Sequence, residues 1–198
     1  PRQLGFGIAG GAEAAVHAAR KFVDSLEQGH VFVKIDFKNA FNSLHRDSIL
    51  EAVNKHFPEL LPFAESTIGR VSILQFGEFV LQSAEGAQQG DPLGPLYFCL
   101  EFKELLERRS SELVLGFLDD VAVGGEAACV LEDFIQLEVA AKKIGLEINY
   151  SKCEIVGHSD NTRLMFASRD VLLPETNADQ VIFLGSPLYA GQNLDRVL

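Results

Sequence analysis

The sequence predicts an α+β fold in which a mainly antiparallel sheet packs on helices. Short runs of β-branched and aromatic residues are separated by turn residues, and segments with helical periodicity lie between those runs. Two pairs of runs are joined by only a few residues, which is typical of antiparallel hairpins. With 198 residues and 47 % hydrophobic content, the chain is long enough for one domain with a buried core.

The first half of the chain predicts a helix, a strand, a second helix and a hairpin. The strand is β-branched and ends on the carboxylate of Asp36, and Pro58 follows the second helix. Gly77-Glu78 supplies the turn of the hairpin. The predicted elements are a helix over 12–28, a strand over 31–36, a helix from the N-cap Asp47 to about Phe57, and hairpin strands over 72–76 and 79–83.

The second half predicts a loop, a helix, a second hairpin and a last long helix. Asp119-Asp120 is the expected bend of that hairpin, which would place two acids at its tip. In the last helix Leu131, Ile135 and Val139 recur at every fourth position, and Gly145 ends it. The predicted elements are a loop over 86–94, a helix over 93–108, strands over 112–118 and 121–123, a helix over 126–144, and short strands near 147–149, 154–157 and 180–184.

The charge balance is strongly negative. Lys and Arg number 17 against 28 Asp and Glu, which gives a formal net charge of −11. This balance argues against a chain that holds nucleic acid through broad neutralisation of phosphates, because that mode needs clustered basic residues. Most of the surplus acids, such as Glu101, Glu104 and Glu132, are expected to be solvated surface.

Cysteine usage and hydropathy restrict the compartment. Cys99, Cys129 and Cys153 are odd in number and widely spaced, which excludes a disulfide framework or a CxxC metal knuckle and favours a reducing environment. No apolar run approaches the roughly 20 residues that span a bilayer, so no membrane association is expected. The chain has neither an initiator Met nor a leader, and we expect it to be an excerpt of a longer polypeptide.

Two predicted strands, more than eighty residues apart, end in aspartate: Ile35-Asp36 and Phe117-Leu118-Asp119-Asp120. A carboxylate at the end of an apolar strand is costly unless it is solvated, paired or bound to a cation. Side by side, such acids would form an oxygen-rich Mg²⁺ site, and two ions would align an attacking hydroxyl with a leaving phosphate. An isolated Asp-Asp pair, by contrast, is more often an ordinary turn.

Five segments reverse that preference because they occur in a characteristic order. They are Ile35–Ser43, Gln88–Leu96, Phe117–Asp120, Gly145–Asn149 followed by Lys152, and Phe183–Gly185. Together they resemble the palm motifs of reverse transcriptases, in particular those of non-LTR retrotransposons. Each motif is weak alone, but five in this order over nearly the whole chain are specific.

The resemblance implies an RNA-directed DNA polymerase that extends a primer 3′-hydroxyl with dNTPs by two-metal nucleotidyl transfer. Asp36 and Asp119 match the ligands of two Mg²⁺ ions, which Mn²⁺ would be able to replace, and the Phe37 carbonyl matches a further ligand. Asp120 matches the second acid of the hairpin and would support the metal site. Lys152 matches a residue that steadies or protonates the departing pyrophosphate.

The resemblance also implies contacts with nucleotide, template and primer. Phe41 matches a bulky residue under the sugar, where a ring would clash with a 2′-hydroxyl and select deoxynucleotides. Glycine at Gly90 would allow close backbone approach to the incoming nucleotide and templating base. The implied nucleotide and template residues are Phe37, Lys38, Asn39, Ala40, Phe41, Gln89 and Gly90, and the implied primer grip is Phe183, Leu184 and Gly185.

The same resemblance implies one domain fragment. Residues 1–30 would be partial fingers and 31–198 a palm with an interleaved fingers segment around 50–88, and the N-terminal fingers and the thumb would be absent. Gly5-Phe6-Gly7 replaces a common Gly-Phe-Arg, so Arg20 and Lys21 would have to compensate for the lost basic contact. The implied partners are an RNA template, a DNA primer and an endonuclease domain elsewhere in the same polypeptide, within a nuclear or cytoplasmic retrotransposon ribonucleoprotein.

Two other functions stay open at this stage. One is a catalytically inactive or decayed reverse transcriptase-like domain that binds nucleic acid or protein. The other is a nucleotide cyclase on a related fold, suggested by Gly124-Gly125-Glu126. In a cyclase that acidic segment would form the hairpin tip, whereas here Asp119-Asp120 is the more natural tip.

Overall fold

The β-branched and aromatic runs form strands and the periodic segments form helices. The computed structural model of the protein describes residues 2–88, 90–157 and 159–188. The helices are α1 Gly11–Asp24, α2 Ala40–Ser43, α3 Arg46–His56, α4 Leu61–Thr67, α5 Gly94–Glu107, α6 Ala127–Lys143 and α7 Asp160–Ala167. The strands are β1 His30–Ile35, β2 Ser72–Phe76, β3 Phe79–Ser83, β4 Leu113–Phe117, β5 Asp120–Glu126, β6 Glu154–Val156, β7 Ile182–Phe183 and β8 Ser186–Pro187.

A four-stranded antiparallel sheet in the order β4-β5-β1-β6 forms the centre of the fold. The predicted α+β class with a mainly antiparallel sheet is therefore confirmed. In the register, Ile35 pairs with Val121 and Phe117 pairs with Asp120. This register brings the end of β1 and the start of β5 to the same edge of the sheet.

The two faces of the sheet carry different cores because side chains alternate along each strand. Val31, Val33 and Ile35 of β1 belong to the larger core, which α3, α5 and α6 cover. Phe32 faces the opposite way, into a smaller core with residues of α1 and the β7–β8 hairpin. Lys34 lies on this second face, half-buried.

The β7–β8 hairpin is attached to α1 through Arg20. Its Nη2 donates to the Pro187 carbonyl at 2.9 Å and to the Ser186 hydroxyl at 3.3 Å. The Arg20 guanidinium is thus engaged within the fold, and the expectation that Arg20 compensates for a missing basic contact stays a prediction. Lys21, the neighbouring residue on α1, is exposed.

The β2–β3 hairpin lies outside the central sheet and matches its predicted bounds. Its large apolar side chains are exposed on both strands, including Ile73, Phe76, Phe79 and Val80. It forms a separate two-stranded sheet. The prediction that this region belongs to a fingers segment stays a prediction.

Several sequence expectations differ from the structure, and the strand expected near 147–149 forms only an isolated bridge of Ile148 with Phe37. Helix α1 ends at Asp24, and the N-cap of α3 is His45, so Asp47 lies in the first turn and does not cap it. Val139 is 53 % exposed. A strict four-residue spacing drifts around a helix, whereas the buried stripe of α6 follows 3.6-residue periodicity. Buried residues of that stripe are Val130, Phe134, Leu137 and Ala141.

The acids and cysteines are distributed as follows. Glu101 is half-buried rather than solvated, and Glu104 pairs with Lys55 and His56.

All three cysteines are free thiols. In the part of the chain that the structure describes, no helix is long and apolar enough to cross a membrane.

Candidate active site

Three carboxylates meet at one edge of the sheet. Because Ile35 pairs with Val121, the next position of the register sets Asp36 opposite Asp120. Alternation places Asp36 on the same face as Lys34, and it places Asp120 on that face too. The fold therefore brings together two acids that are 84 positions apart in the chain, as the sequence predicted.

The charges at this edge act on one another. The pKa of Asp120 is raised above its usual range, first by partial burial of its carboxyl and then by the nearby Asp119 carboxylate. Asp36 acts in the same direction, whereas the Lys34 ammonium favours the charged form. Asp120 as a whole residue is nevertheless exposed to solvent, so neighbouring groups bury only part of its carboxyl. Three acids with one lysine make a site that a cation would stabilise.

The hairpin tip differs from the prediction by one residue. Phe117 pairs with Asp120, so the two turn residues are Leu118 and Asp119, and Asp120 is the first residue of β5. Leu118 adopts a left-handed conformation with φ 54°. Tight two-residue hairpins require such conformations because they match the twist of the strands. The tip therefore carries one acid, Asp119, and the second acid lies in the strand.

The segment after β1 pairs with residues 147–149. The Asn149 N–H donates to the Asp36 carbonyl at 2.8 Å, and the Lys38 N–H donates to the Glu147 carbonyl at 2.8 Å. These bonds flank an isolated bridge between Phe37 and Ile148. The bridge does not use the Phe37 carbonyl, which is thus compatible with its predicted role as a metal ligand. The Phe37 ring itself is buried in the larger core.

Lys152 directly precedes Cys153, whose side chain contacts the Asp36 backbone. The Asp36 N–H donates to the Cys153 sulfur at 3.5 Å, and Lys152 is the preceding residue, exposed at the end of a single 3-10 turn. Lys38, in contrast, is engaged in an ion pair with the Glu147 carboxylate at 2.5 Å. Any contact of Lys38 with a triphosphate therefore competes with that pair.

Phe41 is held by aromatic stacking. Asn39 is left-handed with φ 46° and starts α2, whose first residue Ala40 is buried. The half-buried Phe41 ring lies parallel to Phe98 of α5, with centroids 5.2 Å apart and planes 9° apart. The ring orientation is thus fixed by α5 and not by a flexible loop.

The glycine-rich loop is described only in part. Gly90 has φ 90°, a conformation that favours glycine, and there is open space where a side chain would start. That space is consistent with close approach of a ligand. Gln89, the other predicted residue of this loop, lies outside the described residues.

The predicted primer grip forms the β7–β8 turn. Phe183 is fully buried in the smaller core, so its side chain anchors the hairpin to the sheet. Leu184 with φ 50° and Gly185 with φ 74° form the turn, and Gly185 is exposed. Of the three predicted residues, only the turn pair is placed to meet a ligand.

The donor chemistry fits Mg²⁺, although no closed cage exists. Among residues 2–88, 90–157 and 159–188, no group of three or more His, Cys, Asp or Glu side chains is arranged to hold a metal ion. Mg²⁺ prefers oxygen ligands and commonly takes one or two carboxylates together with substrate phosphates. Asp36, Asp119 and the Phe37 carbonyl provide such donors, and the pKa of Asp120 is raised first by burial of its carboxyl and then by the neighbouring Asp119 carboxylate.

Sequence reasoning missed Lys34 and Gln3. Lys34 forms an ion pair with Glu154 at 2.5 Å. Its ammonium also favours the charged form of the Asp120 carboxyl. Strand alternation would have found it, since it lies two residues before Asp36 on the same face. Gln3 is buried against the hairpin tip. It is 115 residues from its partner, and no local pattern indicates that contact.

A family of known proteins shares this arrangement of motifs. The family described as reverse transcriptase (RNA-dependent DNA polymerase) matches residues 2–188. This chain belongs to the reverse transcriptase family. The predicted family is thus confirmed, and the match includes the segments that carry Asp36, Asp119 and Asp120.

One curated protein and two solved structures are similar to this chain. The retrotransposable element SLACS 132 kDa protein of Trypanosoma brucei gambiense is 28 % identical over 168 residues, which cover 79 % of this chain and 14 % of that protein. A telomerase from Candida tropicalis truncated from its C-terminal domain has a TM-score of 0.52 at 15 % identity, covering 77 % of this chain and 35 % of that one. The apo telomerase from Candida tropicalis gives 0.51 at 14 % identity, covering 71 % and 31 %. At these identities the telomerases show the fold alone.

Proposed function

We propose that this chain is the palm, with part of the fingers, of an RNA-templated DNA polymerase that extends a primer 3′-hydroxyl. One observation carries the proposal: the antiparallel register sets Asp36 opposite Asp120, beside Asp119 at the hairpin tip, in a member of the reverse transcriptase family. Acids brought together from two distant strands are costly for the fold alone. A role in binding cations and phosphates explains them.

In the proposed reaction Asp36, Asp119 and the Phe37 carbonyl would hold Mg²⁺, with Asp120 as a supporting acid. Two such ions, when bound, would make the primer 3′-hydroxyl a better nucleophile and would stabilise negative charge on the departing pyrophosphate. Lys34 reduces the repulsion among the acids. Lys152, which is exposed and directly precedes Cys153, would donate a proton or a hydrogen bond to pyrophosphate.

Selection of the sugar would depend on Phe41. Its ring is fixed against Phe98, so a 2′-hydroxyl at that position would meet a surface that cannot easily move. Lys38, Asn39, Ala40 and the Gln89-Gly90 segment remain the proposed contacts for nucleotide and template. Leu184 and Gly185 remain the proposed contacts for primer.

The wider context is also a proposal. The relative SLACS is a retrotransposable element protein of which this chain spans about 14 %. We infer a retrotransposon origin of the non-LTR type, an RNA template and a DNA primer as partners, and action inside the cell in a ribonucleoprotein. Residues 1–30 as partial fingers, the palm over 31–198 with a fingers segment near 50–88, and an endonuclease elsewhere in a longer polypeptide complete that proposal.

The cyclase alternative loses the feature that suggested it. Gly124 and Gly125 are paired with Phe32 and Val31 inside β5, and they do not form a hairpin tip. A side chain at Gly124 would overlap the Phe22 ring, so the glycine allows this ring to pack against β5. The inactive-domain alternative keeps the same fold and is separated from polymerase activity only by an assay.

Primer extension tests the proposal. Two samples are compared: this chain alone, and a longer polypeptide that contains it with its flanking sequence. Each is incubated with an RNA template, an annealed DNA primer, Mg²⁺ and dNTPs. We expect the longer polypeptide to give template-dependent extension that requires primer and fails when NTPs replace dNTPs, and we expect this chain alone to be inactive. Binding of the primed template without any extension would reject the polymerase and favour the inactive domain, and cyclic nucleotide formed without primer would indicate a cyclase.

A further inference from the structure

The side chain of Gln3 is buried against the hairpin tip that carries Asp119. Gln3 is only 7 % exposed. Its Oε1 accepts a hydrogen bond from the Leu118 N–H at 3.0 Å, and its Nε2 donates to the Leu118 carbonyl at 3.0 Å. The side-chain amide therefore pairs with both backbone groups of one turn residue, as a neighbouring strand would.

The chain around Gln3 is docked on the free edge of β4. The Leu4 N–H donates to the Gly116 carbonyl and the Gly116 N–H donates to the Arg2 carbonyl, both at 2.7 Å. The Arg2 guanidinium donates to the carbonyls of Leu106 at 2.8 Å and Arg109 at 2.6 Å. Gln3 thus reaches the tip from a segment that is itself fixed.

Glycine is required for this close approach. A Cβ atom on Gly5 would overlap the Leu118 backbone nitrogen, and one on Gly116 would lie 3.3 Å from the Gln3 Nε2 and overlap the Leu106 side chain. The Gly5 N–H also donates to the Gln3 Oε1 at 2.9 Å. The amide is therefore enclosed by backbone and oriented by three hydrogen bonds.

Leu118 is the residue that needs such support. It is a γ-branched residue in the left-handed region, with φ 54°, which L-residues other than Gly, Asn and Asp rarely adopt. Strained backbone of this kind persists only where the surroundings enforce it. The register pairs Phe117 with Asp120 and leaves the tip residues outside the ladder, so Gln3 supplies partners that the sheet does not.

We propose that Gln3 is a positioning residue that holds Leu118 in its left-handed conformation and thereby orients Asp119 toward the metal site. This inference rests on the proposed polymerase function. Both halves of the amide are needed, because one accepts from the Leu118 N–H and the other donates to its carbonyl. Gln3 itself touches no substrate in this account, and it acts through the hairpin tip.

Amide hydrogen exchange on the folded chain tests the contact without any enzyme assay. Gln3→Met keeps the length of the side chain and removes its hydrogen bonds. We expect exchange at the Leu118 amide to accelerate at least about tenfold, while the Gly116 amide, bonded to the Arg2 carbonyl, changes much less. Gln28→Met, at an exposed position between α1 and β1, is the matched control. Unchanged exchange at Leu118 would overturn the proposal.

Single-turnover kinetics in the complete polypeptide test the positioning role. Gln3→Met should lower the rate of nucleotide incorporation roughly 10- to 100-fold, leave the dNTP KM nearly unchanged and raise the Mg²⁺ concentration for half-maximal rate. Gln3→Glu keeps the acceptor and loses the donor, so its rate should lie between those of the wild type and Gln3→Met. Gln3→Glu also keeps the test possible if Gln3→Met fails to fold.

The outcomes separate the two proposals. An active wild type whose Gln3 variants exchange faster at Leu118 but incorporate at the normal rate would reject the positioning role alone. A wild type that binds primed template and never extends it would reject the polymerase function and, with it, any role of Gln3 in that reaction. A loss of rate matched by an equal rise in dNTP KM would also contradict the proposal, since positioning of Asp119 acts on the chemical step.

Discussion

At the scale of single residues, four aromatic rings connect the proposed metal ligand Asp36 to Phe41, the proposed sugar-selecting residue. Phe41 stacks on Phe98, Phe98 stacks on Phe102, and Phe102 meets Phe37 edge to face, with centroid distances of 5.2, 5.2 and 5.4 Å. Phe37 directly follows Asp36. Because each ring fixes the next, the position of Phe41 relative to Asp36 is set by packing in the larger core.

Phe41→Ala should relax sugar selection. Removing the ring opens the space in which a 2′-hydroxyl would lie, so the preference for dNTP over NTP should fall about 10- to 100-fold. The measurement is the ratio of kcat/KM for the two nucleotides on the same primed RNA. Phe63→Ala, at a side chain that is 53 % exposed on α4, should leave that ratio unchanged. An unaltered ratio in Phe41→Ala would remove Phe41 from the selection of sugars.

Two buried thiols contact the backbone of the segments that carry the acids. Burial raises the pKa of Cys153, which contacts the Asp36 backbone, to about 11. Burial likewise raises the pKa of Cys99 to about 12, although a hydrogen bond with the Leu118 backbone acts in the opposite direction. Both thiols are therefore protonated at neutral pH and act as packing groups.

Thiol alkylation should discriminate among the three cysteines. At pH 8 the half-buried Cys129 should react with iodoacetamide first, and Cys99 and Cys153 should react at least about 100-fold more slowly until the protein unfolds. Mass spectrometry of time points with and without denaturant gives the order. Rapid native labelling of Cys153 would show that the contact with Asp36 opens readily.

At the scale of elements, α5 carries an acid whose charge opposes folding. Burial raises the pKa of Glu101 from 4.5 to about 7, and the carboxylates of Glu104 and Glu51 act in the same direction. Lys55 opposes the shift, but its ammonium is shared with Glu104 at 2.5 Å. Because the folded pKa exceeds the unfolded one, ionisation of Glu101 lowers stability as pH rises.

The stability of the protein should therefore fall between about pH 4.5 and 7 through Glu101. The Glu101 carboxyl loses its proton at a lower pH in the unfolded state than in the folded state. Its ionisation therefore lowers the free energy of unfolding by at most about 3 kcal/mol, and the full decrease is reached above pH 7. Glu101→Gln should be more stable than the wild type at pH 8 and nearly equal to it at pH 4. Urea unfolding at both pH values measures the difference, with Glu78→Gln, an exposed turn residue, as control. Equal stability of Glu101→Gln and the wild type at pH 8 would contradict the assigned burial.

Sequence patterns predicted the elements better than their exact contacts. The β2–β3 hairpin matches its predicted bounds because Gly77-Glu78 interrupts two β-branched runs. The tip near Asp119 was misplaced by one residue, since its register depends on pairing across β4 and β5. Gln3 could not be found because its contact spans 115 residues. The acids themselves were predicted to come together, and the register brings them together.

At the scale of the whole molecule, the net charge of −11 limits how the chain alone meets nucleic acid. Several basic groups are engaged within the protein: Arg20 holds the β7–β8 hairpin, Arg46 donates to carbonyls near the β2–β3 hairpin, and Lys38 pairs with Glu147. These three cations are therefore less available to neutralise phosphates.

The 198-residue chain alone should bind a primed RNA template weakly, with a Kd above about 10⁻⁵ M near physiological salt and a shallow salt dependence. Fluorescence anisotropy over a salt series measures both quantities. The same titration with the polypeptide that includes flanking sequence should give tighter binding. Submicromolar, steeply salt-dependent binding by the chain alone would show that it carries its own basic surface.

The central claim is that the three acids at the edge of the sheet perform metal-dependent DNA synthesis on an RNA template. The most direct measurement is single-nucleotide incorporation by the wild type, Asp119→Asn and Asp170→Asn in the same polypeptide. Asp170 is exposed and left-handed with φ 58°, a conformation that asparagine tolerates, so it is the matched control. We expect a loss of at least about 100-fold for Asp119→Asn and none for Asp170→Asn. Wild-type incorporation by Asp119→Asn would contradict it.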